Sequence, residues 1–141
     1  MPAPEQPYRP YLERFNDPQG PGDQRPTAAE IVKDQHAEGK LENKVILITG
    51  GTGGLGLETA KALHLTGAKI FITARSEEKG KAAVEAISQD GKGAAAEYIV
   101  MDLASLKSVR SAVKDFSARS SRLDVLITNA GQSSWQHPYQ S

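Results

Sequence analysis

The stretch Val45–Gly56, VILITGGTGGLG, constrains this chain more than any other. Four apolar β-formers run into a threonine and then into five glycines within seven positions. A continuous apolar run suits a parallel strand buried on both faces. A strand that ends in a glycine-rich turn and passes into a helix presents backbone N–H groups to a phosphate. The glycines supply close backbone approach, and the helix dipole adds about 0.3–1 kcal/mol at an exposed N-terminus. The plain alternative is a tight strand-to-helix turn with no ligand. Five glycines cost backbone entropy that a bare turn does not need.

The remaining chain reads as a frame for that turn. Residues 1–26 hold seven of the eight prolines, interleaved with Gln, Asp, Gly and Arg. Such a segment buries too little apolar surface to offset its ordering entropy and is expected to be a flexible arm. Its aromatics Tyr8, Tyr11 and Phe15 are candidates for docking on the domain or a partner. Thr27 and Glu30 have capping-box spacing, which predicts a short helix over Thr27 to about His36, ended by Gly39. Val45–Thr49 is the first strand. A helix follows over Gly54 to Thr66, with Gly67 as a left-handed C′ residue. Lys69–Ala74 is the second strand. Ser76 caps a helix that runs to about Asp90, and Gly91 and Gly93 form the next turn. Glu97–Met101 is the third strand. Ser105 caps a further helix, in which Leu106, Val109, Val113 and Phe116 share one face. Leu123–Thr128 is the fourth strand. Residues 132–141, QSSWQHPYQS, carry no strand or helix period and are expected to be an unstructured tail.

The pattern is β-α-β-α-β-α-β. It predicts an α/β fold, a Rossmann-type doubly wound parallel sheet of order 3-2-1-4 that stops after strand four. The expected division is an arm over 1–26, a nucleotide-binding half-domain over 27–131 and a tail over 132–141. Strand four is then an edge with unpaired backbone groups, and the last helix stands alone on its sheet face. Exposed apolar surface, marginal stability and association through the strand-four edge follow from that arrangement.

Composition excludes several classes. Net charge is zero, which argues against nucleic-acid and membrane-surface partners. With no cysteine there is no disulfide or thiolate chemistry, and the expected location is cytoplasmic. His36, His64 and His137 lack metal-ligand spacing, so no metal site is expected. No apolar run approaches the roughly 20 residues of a membrane span.

The turn fits three glycine registers at once: Gly51, Gly53 and Gly56; Gly50, Gly53 and Gly56; or Gly50, Gly54 and Gly56. The glycines alone do not choose among them. A second reading position lies at the end of strand two. NAD-binding folds place an acid roughly 20 residues past the turn, to hold the ribose 2′-hydroxyl. Here the sequence is Ala74-Arg75-Ser76, with an arginine and no acid. A guanidinium suits a 2′-phosphate, and Lys79 adds a second positive charge one turn later, so NADP is expected over NAD. The alternative is a solvated loop arginine.

Thr49-Gly50-x-x-x-Gly54-x-Gly56, Asp102-Leu103 after strand three and Asn129-Ala130-Gly131 after strand four together resemble the short-chain dehydrogenase/reductase family. The resemblance covers about residues 41–131, and the run Ala74-Arg75-Ser76 with Lys79 resembles its NADP-preferring, retinol-dehydrogenase-like members. It implies that Gly50, Thr52, Gly54, Leu55 and Gly56 hold the pyrophosphate and that Arg75 and Lys79 sit near the 2′-phosphate. It implies further that Asp102 and Leu103 contact the adenine, and that Asn129, Ala130 and Gly131 border the nicotinamide-side ribose. As alternatives, Asp102 is a helix-capping acid and Asn129 a tie between strands.

The family's chemistry uses a serine and a Tyr-x-x-x-Lys pair downstream of the Asn-Ala-Gly motif. No Tyr-x-x-x-Lys stands in this sequence: Leu12, Phe15 and Asp102 lie four positions beyond Tyr8, Tyr11 and Tyr98, and the chain stops two residues after Tyr139. The expectation is an NADP(H)-binding fragment of an alcohol/carbonyl oxidoreductase, without catalytic residues and inactive alone. The competing expectations are a non-catalytic nucleotide-binding or interaction protein, and the start of a polyketide-type ketoreductase domain, whose turn also reads GGTGGLG.

Overall fold

A computed structural model describes residues 8–89 and 93–131. The expected tail over 132–141 and the expected turn residue Gly91 lie outside them, as do the first seven residues of the arm. The elements are α1 (Ala28–Asp34), β1 (Val45–Ile48), α2 (Gly54–His64), β2 (Lys69–Ala74), α3 (Glu77–Ser88), β3 (Glu97–Val100), α4 (Leu106–Arg119) and β4 (Val125–Ile127), with a 3-10 turn at Leu12–Phe15.

The four strands form one sheet of order β3-β2-β1-β4, as the alternating pattern predicts. All three pairings are parallel, and Ile46 on β1 lies between Ile70 on β2 and Val125 on β4. Strand alternation splits the apolar side chains between two faces. Ile46, Ile48, Ile70 and Ile72 pack with Ala60 of α2 and with Ala83 and Ile87 of α3. Val45, Phe71 and Ile99 pack with Ala112 of α4 on the other. Phe71 is fully buried, and its ring meets Phe116 edge to face at 5.1 Å. A buried aromatic pair of this geometry adds about 0.5–1.5 kcal/mol beyond its area.

Among the described residues α4 is alone on its face, as expected, but its rotation differs from the sequence reading. Ala112 and Phe116 meet the sheet, and Val109 is half-buried. Leu106 and Val113 turn outward, 74% and 59% exposed. The short Ala112 lets the helix come close to Phe71, and that contact sets the rotation. An apolar stripe cannot distinguish which of its edges touches the sheet.

Helix α1 has the expected capping box: Thr27 and Glu30 exchange their side-chain and backbone hydrogen bonds. It ends earlier than Gly39. His36 takes a left-handed φ of 51°, its N–H donates to Lys33 O, and Ala37 N–H donates to Val32 O. That is the Schellman closure with histidine where glycine is usual. Gly67 has φ +82° behind α2, as expected. In the described part of the arm, Tyr8 and Tyr11 reach Gln35 and Asp34 at 3.4 and 3.3 Å. No described helix is long and apolar enough to cross a membrane.

Candidate functional site

The C-terminal ends of the four parallel strands open on one side of the sheet, around a crevice of about 640 Å³. This is where open α/β sheets bind ligands, and the volume is in the range of small-molecule sites. Its floor is the β1–α2 turn. Its walls are the residues after β2, β3 and β4.

The turn is held from both neighbouring strands. Thr49 Oγ1 accepts the N–H groups of Asn129 and Ala130, each at 3.1 Å. Asn129 Nδ2 donates to Thr49 O at 3.1 Å and to Gly50 O at 3.2 Å. Asn129 thus ties β4 to the turn while its backbone lines the crevice. Gly50 has φ +70°, and a Cβ there would lie 2.9 Å from Ala130 Cα. The turn can close on β4 only if this residue is glycine.

Helix α2 begins at Gly54 without a side-chain cap. The other three α-helices each have one, from Thr27, Ser76 and Ser105. The first N–H groups of an α-helix have no partner within it. At α2 they come directly after crevice-lining Gly53, where a Cβ would meet nothing within 4 Å. The turn therefore offers bare backbone donors and open space to an anion.

Across from the turn, Arg75 and Lys79 line the crevice, both exposed, and no ion pair ties either down among the described residues. After β3, Asp102 folds back on its own loop. One carboxylate oxygen accepts Ala104 N–H at 3.0 Å, and its own N–H donates to Ser108 Oγ at 2.9 Å. Ser105, not Asp102, caps α4. Leu55 is 83% exposed at the mouth.

Gly50, Thr52, Leu55, Gly56, Arg75, Lys79, Asp102, Leu103, Asn129, Ala130 and Gly131 all line the crevice. Gly54 does not; it starts α2 with φ +53°, and Gly53 takes the lining place. The sequence reading also passed over Thr73, Ala74, Met101 and Ala104, which line it too. Thr73 and Ala74 are the last two residues of β2, and their place at the strand end that opens on the crevice is the signal that could have found them. No cluster of metal-ligating side chains occurs among the described residues.

Residues 44–141 match the family model for short chain dehydrogenase. A short-chain dehydrogenase/reductase of Penicillium rubens, prx1, is 44% identical over 121 residues, which is 86% of this chain and 35% of that protein. A metagenomic short-chain oxidoreductase solved in complex with NADP is 33% identical, with a TM-score of 0.59 over 65% of this chain and 41% of that one. A Haemophilus influenza protein solved with bound NAD is 28% identical, with a TM-score of 0.59 over 67% of this chain and 33% of that one. The chain spans about a third of the length of the curated relatives it matches.

Proposed function

We propose that this chain, which belongs to the short-chain dehydrogenase family, uses residues 27–131 to hold NADP(H) in the crevice at its strand ends. The observation that carries this reading is the start of α2, which has no side-chain cap, set across the crevice from Arg75 and Lys79, cations that no ion pair engages among the described residues. Bare N–H donors and a helix dipole suit a pyrophosphate. A guanidinium and an ammonium at the end of β2 suit a 2′-phosphate, with charge-assisted bonds of about 1.5–3 kcal/mol each. Solved relatives include two with NADP and one with NAD, so the preference rests on Arg75 and Lys79.

In the parent reaction the cofactor would supply or accept a hydride as an alcohol and a carbonyl interconvert. This chain's residues bind and orient it. Gly50, Thr52, Gly53, Leu55 and Gly56 cradle the pyrophosphate, with Gly54 starting α2 among them. Asp102, with one oxygen fixed on Ala104, and Leu103 border the adenine. Asn129, Ala130 and Gly131 border the nicotinamide-side ribose. No tyrosine in the 141 residues is followed four positions on by lysine, so hydride transfer by this chain alone is not expected. A cytoplasmic setting, expected from the cysteine-free sequence, belongs to the same proposal.

Thermal unfolding with and without millimolar NADPH tests the reading, because a ligand bound only to the native state raises the midpoint. A rise supports it and no shift contradicts it. In the same preparation, NADPH oxidation with ketones or aldehydes would contradict the expected inactivity.

A second reading rests on β4. Among the described residues it pairs with β1 alone, and Val125 and Leu126 are 43% and 53% exposed. An open edge of this kind invites another strand, which would make the chain an interaction partner. Light scattering should then show concentration-dependent association that Leu126→Lys abolishes. A monomer at every concentration contradicts this reading.

A further inference from the structure

Both backbone polar groups of Gly50 are held by side chains from other parts of the sheet. Its C=O accepts from Asn129 Nδ2, beyond β4, and its N–H donates to Thr73 Oγ1, on β2, at 3.0 Å. Thr73 is 5% exposed and lines the crevice. It is β-branched on an inner strand, so its side chain has little rotamer freedom. The hydroxyl therefore offers Gly50 a fixed acceptor. Arg75 lies two residues further along the chain, just past the end of β2, and also lines the crevice. One short piece of backbone thus joins the acceptor that pins the turn to the cation at the other end of the crevice.

We propose that Thr73 is a positioning residue for cofactor binding: its hydroxyl pins the first glycine of the turn to β2 and so sets where the α2 amides stand. The inference rests on the cofactor reading above. Thr73 acts through the turn, on the pyrophosphate that NADPH and NADH share. Arg75 acts on the 2′-phosphate that only NADPH carries. Loss of the hydroxyl should therefore weaken both nucleotides by one common factor and leave their ratio unchanged. It also leaves the Gly50 N–H without its buried partner, which frees the pivot of the turn.

The test uses the 141-residue chain with Thr73→Val, which removes the acceptor and keeps the shape, and Thr73→Ser, which keeps the acceptor. NADPH and NADH are titrated separately, and amide exchange at Gly50 is followed by NMR. In Thr73→Val, Gly50 exchange should accelerate locally and both dissociation constants should rise by the same factor, roughly five- to tenfold. Thr73→Ser should restore both readouts. Unchanged affinities in Thr73→Val overturn the inference. So does a changed NADPH-to-NADH ratio, or a loss of amide protection spread over the whole domain that serine does not restore. If the parent chain binds neither nucleotide, the cofactor reading fails together with the inference. If the parent binds and Thr73→Val binds equally well, only the inference fails.

Discussion

Asn129 and Gly56 approach so closely that only the absence of a side chain on Gly56 lets them meet. A Cβ on Gly56 would overlap Asn129 Nδ2 and lie 2.5 Å from Gly50 O. Neither neighbour can yield easily, since the Asn129 amide is engaged with Thr49 O and Gly50 O. Gly56→Ala should therefore cost about 1–3 kcal/mol, the usual range for overpacking a closed site. Gly53 is the contrasting case. Its φ of −173° is extended backbone, and a Cβ there meets nothing within 4 Å. Gly53→Ala should change stability by no more than about 0.5 kcal/mol. Urea unfolding of both variants checks this, and equal losses would contradict it.

Asp124 closes the opposite end of the β1–β4 pair. Its N–H donates to Val45 O at 2.9 Å, and its carboxylate accepts Val45 N–H at 2.8 Å. The hydrogen bond from Arg122 and then the one from Val45 hold its pKa near 2, below the ordinary 3.8. A carboxylate depressed in the folded state contributes stability that is complete above the unfolded pKa and lost as pH falls through the folded one. Asp124 should thus stabilise the fold above about pH 4 and lose that contribution between about pH 4 and pH 2. Asp124→Asn should lower the melting temperature at pH 7 and flatten its fall over that acid window. An unchanged acid slope would contradict this role.

Gly80 lies inside α3, where glycine costs about 1 kcal/mol relative to alanine in an exposed helix. Here it faces the Tyr98 ring on β3, and a Cβ would lie 2.5 Å from Cγ of that ring. The propensity gain of Gly80→Ala should be outweighed by displacement of Tyr98 from its packing against the buried core. The expected result is net destabilisation, read as a lower denaturant midpoint. A rise in stability would show that the ring moves aside freely.

The parts of this fold that were legible in the sequence are those set by neighbours in the chain. The strand order followed from short apolar runs alternating with helical stretches. The crevice followed from the glycine spacing and from what stands after each strand. Three features depend on distant contacts and were not legible. The Thr73–Gly50 bond spans 23 residues, and a threonine in a strand gives no sign of what its hydroxyl meets. The rotation of α4 depends on Ala112 against the Phe71 face, which the stripe of larger residues concealed. His36 ends α1 in a left-handed conformation that a sequence reading assigns to the next glycine.

The claim that this crevice takes NADP(H) is tested most directly by calorimetric titration of the 141-residue chain with NADPH and with NADH, repeated on Arg75→Ala. NADPH should bind roughly tenfold or more tightly than NADH, the value of one charge-assisted contact. Arg75→Ala should remove most of that difference and leave NADH affinity unchanged. No heat of binding with either nucleotide at millimolar concentration, or a preference for NADPH that survives Arg75→Ala intact, would contradict it.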